Sequence, residues 1–152
     1  MKINWVLKKF DDLSPHELYA IIQLRNEVFV VEQNCVFQDA DNKDQPAFHL
    51  TGWLDKKIIA YARILPPDIA NKNVSIGRVV TSPEVRRKAV GRELMIISIE
   101  QVRKIFGNVS IHIGAQLYLK KFYESFGFSQ NSNTYLEDGI AHIEMLRPAS
   151  VS

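Results

Sequence analysis

Residues 74–94 read VSIGRVVTSPEVRRKAVGREL, and the order of residue types in this run leaves few folds open. β-Branched and apolar residues lead into Ser82-Pro83. Arg86, Arg87, Lys88 and Arg92 follow as a basic cluster, with Gly91 among them at the head of a run of helix formers. This is a strand, a turn, a loop and a helix start in direct succession. Cations at a helix N-terminus oppose the helix dipole, which favours anions there. The segment is therefore either a solvated, charged turn or a helix start facing a bound anion such as phosphate. A cradle of that kind needs small residues so that backbone N–H groups can approach the anion. The familiar nucleotide motifs are absent: there is no G-x-x-x-x-G-K-[ST] and no G-x-G-x-x-G.

The rest of the chain supplies alternating elements. Ile3, Trp5 and Leu7 alternate with Asn4, Val6 and Lys8, predicting a half-buried strand over 3–10. Ser14-Pro15 with Glu17 forms a capping box that starts a helix running to about Val31. Residues 34–47 lack periodicity and form the longest loop. FHLTGWL and IIAYARIL flank a turn at Asp55-Lys56-Lys57, and VSIGRVVT follows with Gly77 inside it, which suggests a bulge. Val90, Leu94, Ile97, Val102 and Ile105 lie on one side of a helix over 90–106 that stops at Gly107-Asn108. VSIHIGA is a strand, YLKKFYESFG is a short helix closed by Gly127, and two last strands surround Glu137-Asp138-Gly139. The predicted order is β-α-loop-β-β-β-α-β-α-β-β, a mixed α/β chain read as a single domain over 1–152.

At 152 residues the chain can bury a core without covalent staples. A net charge of +2 is too small to argue for nucleic acid, and no aromatic residues interleave with the basic cluster. The one cysteine, Cys35, cannot form an internal disulfide and fits a reducing compartment. The first residues, MKINWVLKKF, have no signal-peptide pattern, and no apolar run reaches the ~20 residues of a membrane span. A cytoplasmic location with no membrane and no nucleic-acid partner is expected. His49, His112 and His142 have no metal-ligand spacing, so no metal is expected. A homodimer is left open.

Strand, Ser-Pro, the loop Arg86-Arg87-Lys88-Ala89-Val90-Gly91 and the following helix together resemble motif A of the GNAT superfamily of acyl-CoA N-acyltransferases. Downstream, Tyr123 to Phe128 resembles the family's Y-x-x-x-G-F, and Gln116 stands where many relatives carry Asn. LYAIIQLRNEVFVVEQNC, IGRVV, GAQLYLKKFYESFGF and YLEDGIAHIEM are similar to the ElaA-like branch of that superfamily. The resemblance implies a GNAT fold: a mixed, mostly antiparallel central sheet with helices on both faces, and the fourth and fifth strands splayed for acyl-CoA.

It also implies a reaction, the transfer of an acetyl group from acetyl-CoA to an amine in a ternary complex. Val79 and Thr81 would pair with the pantetheine arm, and the N–H of Val80 would face the oxyanion. Arg86, Arg87, Lys88, Ala89, Val90, Gly91 and Arg92 would hold the pyrophosphate, with Gln116 and Tyr123 completing the cofactor site. Ala89 replaces the first motif glycine, and alanine is penalised at positive φ. Tyr123 is the expected general acid for the thiolate. The strand position that carries a basic Glu in some relatives is Ser75 here. His142 and Glu32 are therefore the leading candidates for general base, ahead of His49, His112 and Glu137. Arg63 and Arg78 either bind acidic groups of a substrate or cover the core. The alternative to catalysis is a silent CoA-binding sensor of the same fold; a basic-loop nucleic-acid binder is a more distant one.

Overall fold

The computed structural model describes residues 1–150. Strand β1 (Asn4–Lys9) is followed by helix α1 (Pro15–Arg25), which continues as a π-helical segment over Asn26–Glu32. Then come β2 (Phe48–Leu54), β3 (Lys57–Leu65), β4 (Val74–Thr81), α2 (Val90–Phe106), β5 (Ile111–Gln116), α3 (Lys120–Glu124), β6 (Ser129–Gln130), β7 (Tyr135–Glu137) and β8 (Ile140–Arg147). The strands form one sheet in the order β1-β2-β3-β4-β5-β8-β6, with β7 also pairing β8. Every pairing is antiparallel except β4 with β5.

Local chemistry sets the boundaries. The Ser14 hydroxyl accepts from the Glu17 N–H at 3.0 Å while the Glu17 carboxylate accepts from the Ser14 N–H at 2.8 Å, the reciprocal cap expected there. Asp55 and Lys56 both have positive φ, as do Asp138 and Gly139, and these pairs close the β2–β3 and β7–β8 hairpins. Two features depart from the predicted order. The two-residue β6 is too short to carry a pattern, and the end of α1 widens into the π segment, where Gln33 N–H reaches back five residues to the Val28 carbonyl.

Helices cover both sheet faces. Leu94, Met95 and Val102 of α2 pack with Ile64, Ile76, Ile113 and Ile143 on one face. Ile21, Leu24 and Val28 pack on Ile58, Tyr61 and Val80 on the other. Each such side chain, fully buried, contributes about 1.5–3 kcal/mol.

Two irregularities open the middle of the sheet. β4 and β5 pair only at Val74 with Ile111 and Ser75 with His112, after which both strands continue unpaired to each other. Between Tyr61–Val80 and Arg63–Gly77 the β3–β4 register shifts by one residue, so Arg78 and Val79 oppose the single residue Ala62. Arg78 takes φ 50° at this bulge. The result is a wedge with its apex at Ser75 and His112, widening toward Thr81 and Gln116.

Candidate active site

The wall of the wedge on the β4 side is the strand edge at Val79–Thr81. Here the pairing corrects one expectation. Ser82 N–H donates to the Ile59 carbonyl at 2.8 Å, and N–H directions alternate along a strand. Val80 N–H therefore points at β3, not into the wedge, while Val79 and Thr81 present their backbone groups to the open side.

The loop at the wide end is anchored by Val85, which is buried in the core, and by Ser82, whose hydroxyl accepts from Glu84 N–H at 3.3 Å. Arg87 and Ala89 both take left-handed φ, 66° and 60°. Ala89 is the N-cap of α2 and supplies no side-chain cap, so the first N–H groups of α2 are left for another acceptor. A Cβ at Gly91 would touch only the Phe122 ring, at 3.8 Å. Protein packing does not require glycine there, and the backbone at Gly91 is left open to close approach.

The cations of the loop divide. Arg87 and Lys88 are exposed. Arg86 makes a two-pronged ion pair with Glu32, at 2.6 and 2.5 Å. That bond holds the Glu32 carboxyl below its ordinary range, which suits a clamp on Arg86 better than a proton acceptor. Arg92 lies over the Phe126 ring at 4.8 Å and donates to the Ser125 hydroxyl at 3.2 Å.

On the β5–β8 side, Gln116 donates to Gln33 at 3.3 Å, tying β5 to the end of the π segment. Its partner across the pair is His142, 8% exposed. One ring nitrogen, Nδ1, lies 2.7 Å from the Ile140 carbonyl. A carbonyl only accepts, so Nδ1 carries a proton toward it, and Nε2 lies 3.4 Å from Glu137 Oε2. Tyr123 is 7% exposed, with its ring edge-on to Phe122 and Phe128. Burial pushes its hydroxyl upward, so it stays protonated. No hydrogen bond reaches that hydroxyl among the described residues.

His49 is placed elsewhere. It is buried, with its ring between the Tyr61 hydroxyl (2.6 Å) and the Asp44 carbonyl (2.8 Å), so both nitrogens are used by the fold. Desolvation lowers its basicity further. Two grooves between α1 and the β2–β3 hairpin, bounded by Ala20, Trp53 and Lys56, contain none of the predicted site residues.

Sequence reasoning missed a charged assembly behind the bulge. Asp44 accepts from Arg25 at 2.8 Å and from Arg63 at 2.9 Å. Asp39 takes Arg25 Nε at 2.7 Å, and Asp41 takes both terminal nitrogens of Arg63 at 2.8 Å. Arg78 closes the set, donating to the Asp39 carbonyl at 3.0 Å with its Nε 2.9 Å from Asp39 Oδ1, off the hydrogen-bond direction. Three arginines face three aspartates, so the acidic partners of Arg63 and Arg78 are the chain's own. The three aspartates within six residues of the 34–47 loop, accompanied there by the single cation Lys43, were the available signal.

Comparison with known proteins agrees with this geometry. Residues 11–147 match the family model for an acetyltransferase (GNAT) domain. Protein ElaA of Escherichia coli K12 is 43% identical over 147 residues, covering 95% of this chain and 96% of that protein. The crystal structure of Escherichia coli ElaA superposes with TM-score 0.91 at 42% identity, over 96% of this chain and 99% of that one. An acyl-CoA N-acyltransferase from Pseudomonas aeruginosa gives TM-score 0.93 at 38% identity, with coverage of 96% and 99%. A GNAT family acetyltransferase from Elizabethkingia anophelis, solved with acetyl-CoA bound, shares the fold at TM-score 0.64 and 13% identity over 96% of this chain and 97% of that one. The wedge, the bulge and the loop before α2 thus lie in a chain that belongs to the GNAT acetyltransferase family, with ElaA proteins among its relatives.

Proposed function

We propose that the protein moves an acetyl group from acetyl-CoA to an amine by direct transfer in a ternary complex, as one domain over 1–152 acting in the cytoplasm. The observation that carries this reading is the wedge: two strands that pair at one end, a bulge that widens the other, and an uncapped helix start at its mouth. Acetyl-CoA bound to the Elizabethkingia neighbour supports it.

In this reading Val79 and Thr81 pair with the pantetheine, and Arg86, Arg87, Lys88, Ala89, Val90, Gly91 and Arg92 surround the pyrophosphate. His142 Nε2 takes a proton from the acceptor ammonium, and Glu137 steadies the imidazolium. Val79 N–H donates to the oxygen of the tetrahedral intermediate. Tyr123, kept neutral by burial, gives its proton to the departing sulfur. Glu32 is assigned to Arg86 and not to the base role.

A silent CoA-binding module is the second reading, and one observation favours it: Arg86 and Arg92 already have partners inside the protein. Release of free thiol from acetyl-CoA in the presence of an amine panel separates the two. Turnover that His142→Gln abolishes supports transfer; CoA binding with no turnover on any amine leaves the sensor.

A further inference from the structure

Beside the wedge, part of the sheet stays open. Ile111, Ile113, Ile143 and Met145 enter the α2–α3 core, so the residues alternating with them, His112, Gly114, His142 and Glu144, face the other side. On that side α1 packs over β3 and β4, and Gly114 is exposed. Glu144 is its partner across the pair, and the carboxylate folds back over the glycine: a Cβ at 114 would stand 3.0 Å from Glu144 Oε2. The same oxygen accepts from the Tyr135 hydroxyl at 2.8 Å, and Oε1 lies 3.3 Å from His112 Nε2. That nitrogen is buried and has no hydrogen-bond partner. His112 also adjoins Ser75, at 3.4 Å, in the last pair before the strands separate. A carboxylate, a phenol and an unsatisfied imidazole nitrogen thus converge over a glycine floor at the apex of the wedge.

We infer that this cluster holds the second, non-reacting ammonium of a diamine acceptor; the inference rests on the acetyl-transfer reading above. Glu144 and His142 are two residues apart on one face of β8, roughly 6.6 Å at the rise of a strand, about the reach of a four-carbon diamine. One nitrogen at His142 loses its proton and takes the acetyl group. The thioester C–S bond breaks, and CoA leaves as the thiol. The other nitrogen stays protonated between Glu144 and Tyr135. Glu137, exposed on the neighbouring strand β7, adds negative charge. The three arginines of α1, β3 and β4, Arg25, Arg63 and Arg78, are matched by Asp39, Asp41 and Asp44 and so are not offered to a carboxylate. An acceptor with an acidic tail is disfavoured and one with a cationic tail favoured.

The test compares 1,4-diaminobutane, butylamine and 4-aminobutyrate as acceptors with acetyl-CoA. The expected order of kcat/KM is diamine above monoamine by about tenfold, with the amino acid lowest. Glu144→Gln should bring the diamine-to-monoamine ratio to within about twofold of unity, and Tyr135→Phe should lower it partway. A wild-type ratio near one, or a ratio that Glu144→Gln leaves intact while circular dichroism shows a folded protein, overturns the inference. Diamine binding is also measured by calorimetry on the wild type and on Glu144→Gln. If no amine is acetylated, the transfer reading fails separately: diamine binding that Glu144→Gln removes still supports the site, and absence of diamine binding to the wild type overturns it.

Discussion

Replacing Asp44 with asparagine tests whether the 34–47 loop is held by charge. Asp44 Oδ1 accepts from two buried arginines, Arg25 (0% exposed) and Arg63 (4%). The isosteric amide removes one negative charge from a set of three against three and leaves a net positive charge in the interior. Breaking a buried ion pair by removing one partner costs about 3–5 kcal/mol. Each arginine keeps a carboxylate, Arg25 through Asp39 and Arg63 through Asp41, and the His49 bond to the Asp44 carbonyl survives. The lower end, about 3 kcal/mol, is therefore expected. With a urea m-value of about 2 kcal/mol/M the midpoint falls by about 1.5 M. The arginines also hold the Asp41 and Asp44 carboxyls below their ordinary range. Groups depressed on folding add stability above their unfolded value, about 3.9 for Asp, and lose it as pH falls through the folded values. The wild-type advantage over Asp44→Asn should thus be full at pH 6 and shrink progressively below pH 4. A midpoint shift under about 0.5 M at pH 7, or an advantage that grows in acid, would refute the account.

Tyr123→Phe is expected to lower kcat about 100-fold with acetyl-CoA affinity within twofold, by steady-state kinetics and calorimetry; an unchanged kcat removes the tyrosine from the proton path. Ala89→Gly relieves a left-handed alanine and should stabilise the fold by about 1 kcal/mol, raising Tm by about 2–4 °C, while tightening acetyl-CoA binding severalfold; a lower Tm would deny the strain. Glu32→Gln releases Arg86 and, the pair being exposed, should change stability by less than about 1 kcal/mol while strengthening acetyl-CoA binding at low salt. Loss of turnover in that variant with affinity intact would return Glu32 to the base role.

Elements written in short-range chemistry were legible in the sequence. The Ser14–Glu17 box, the bounds of α2 and the two hairpin turns each depend on residues within a few positions of one another, and the structure has them where the pattern put them. What escaped depends on partners far apart in the chain. The direction of Val80 N–H follows from a register set by Ser82 and Ile59. Glu144 gave no signal because its meaning comes from Tyr135, His112 and Gly114, which meet it only across strands. Arg63 and Arg78 read equally well as substrate ligands until the loop aspartates closed on them.

Arg78 shows why these distant parts belong together. Its φ of 50° is a conformation glycine adopts freely, and Gly77 is the adjacent residue. A glycine one position later would make the bulge without the roughly 1–2 kcal/mol that an L-residue gives up there. The side chain supplies what glycine lacks: contacts from the bulge to Asp39 and Asp41, and stacking of its guanidinium on Phe37 at 5.9 Å. The strain at the bulge is thereby offset by the loop, and the loop is fixed by Arg25 of α1 and Arg63 of β3. The width of the wedge, and with it the direction of Val79 N–H, is coupled to a charge set on the opposite side of β4 from β5. Arg78→Gly should therefore keep the bulge and the fold but loosen the loop, raising KM for the acceptor more than it changes acetyl-CoA affinity. If KM and affinity are both unchanged, the arginine serves neither the loop nor the slot.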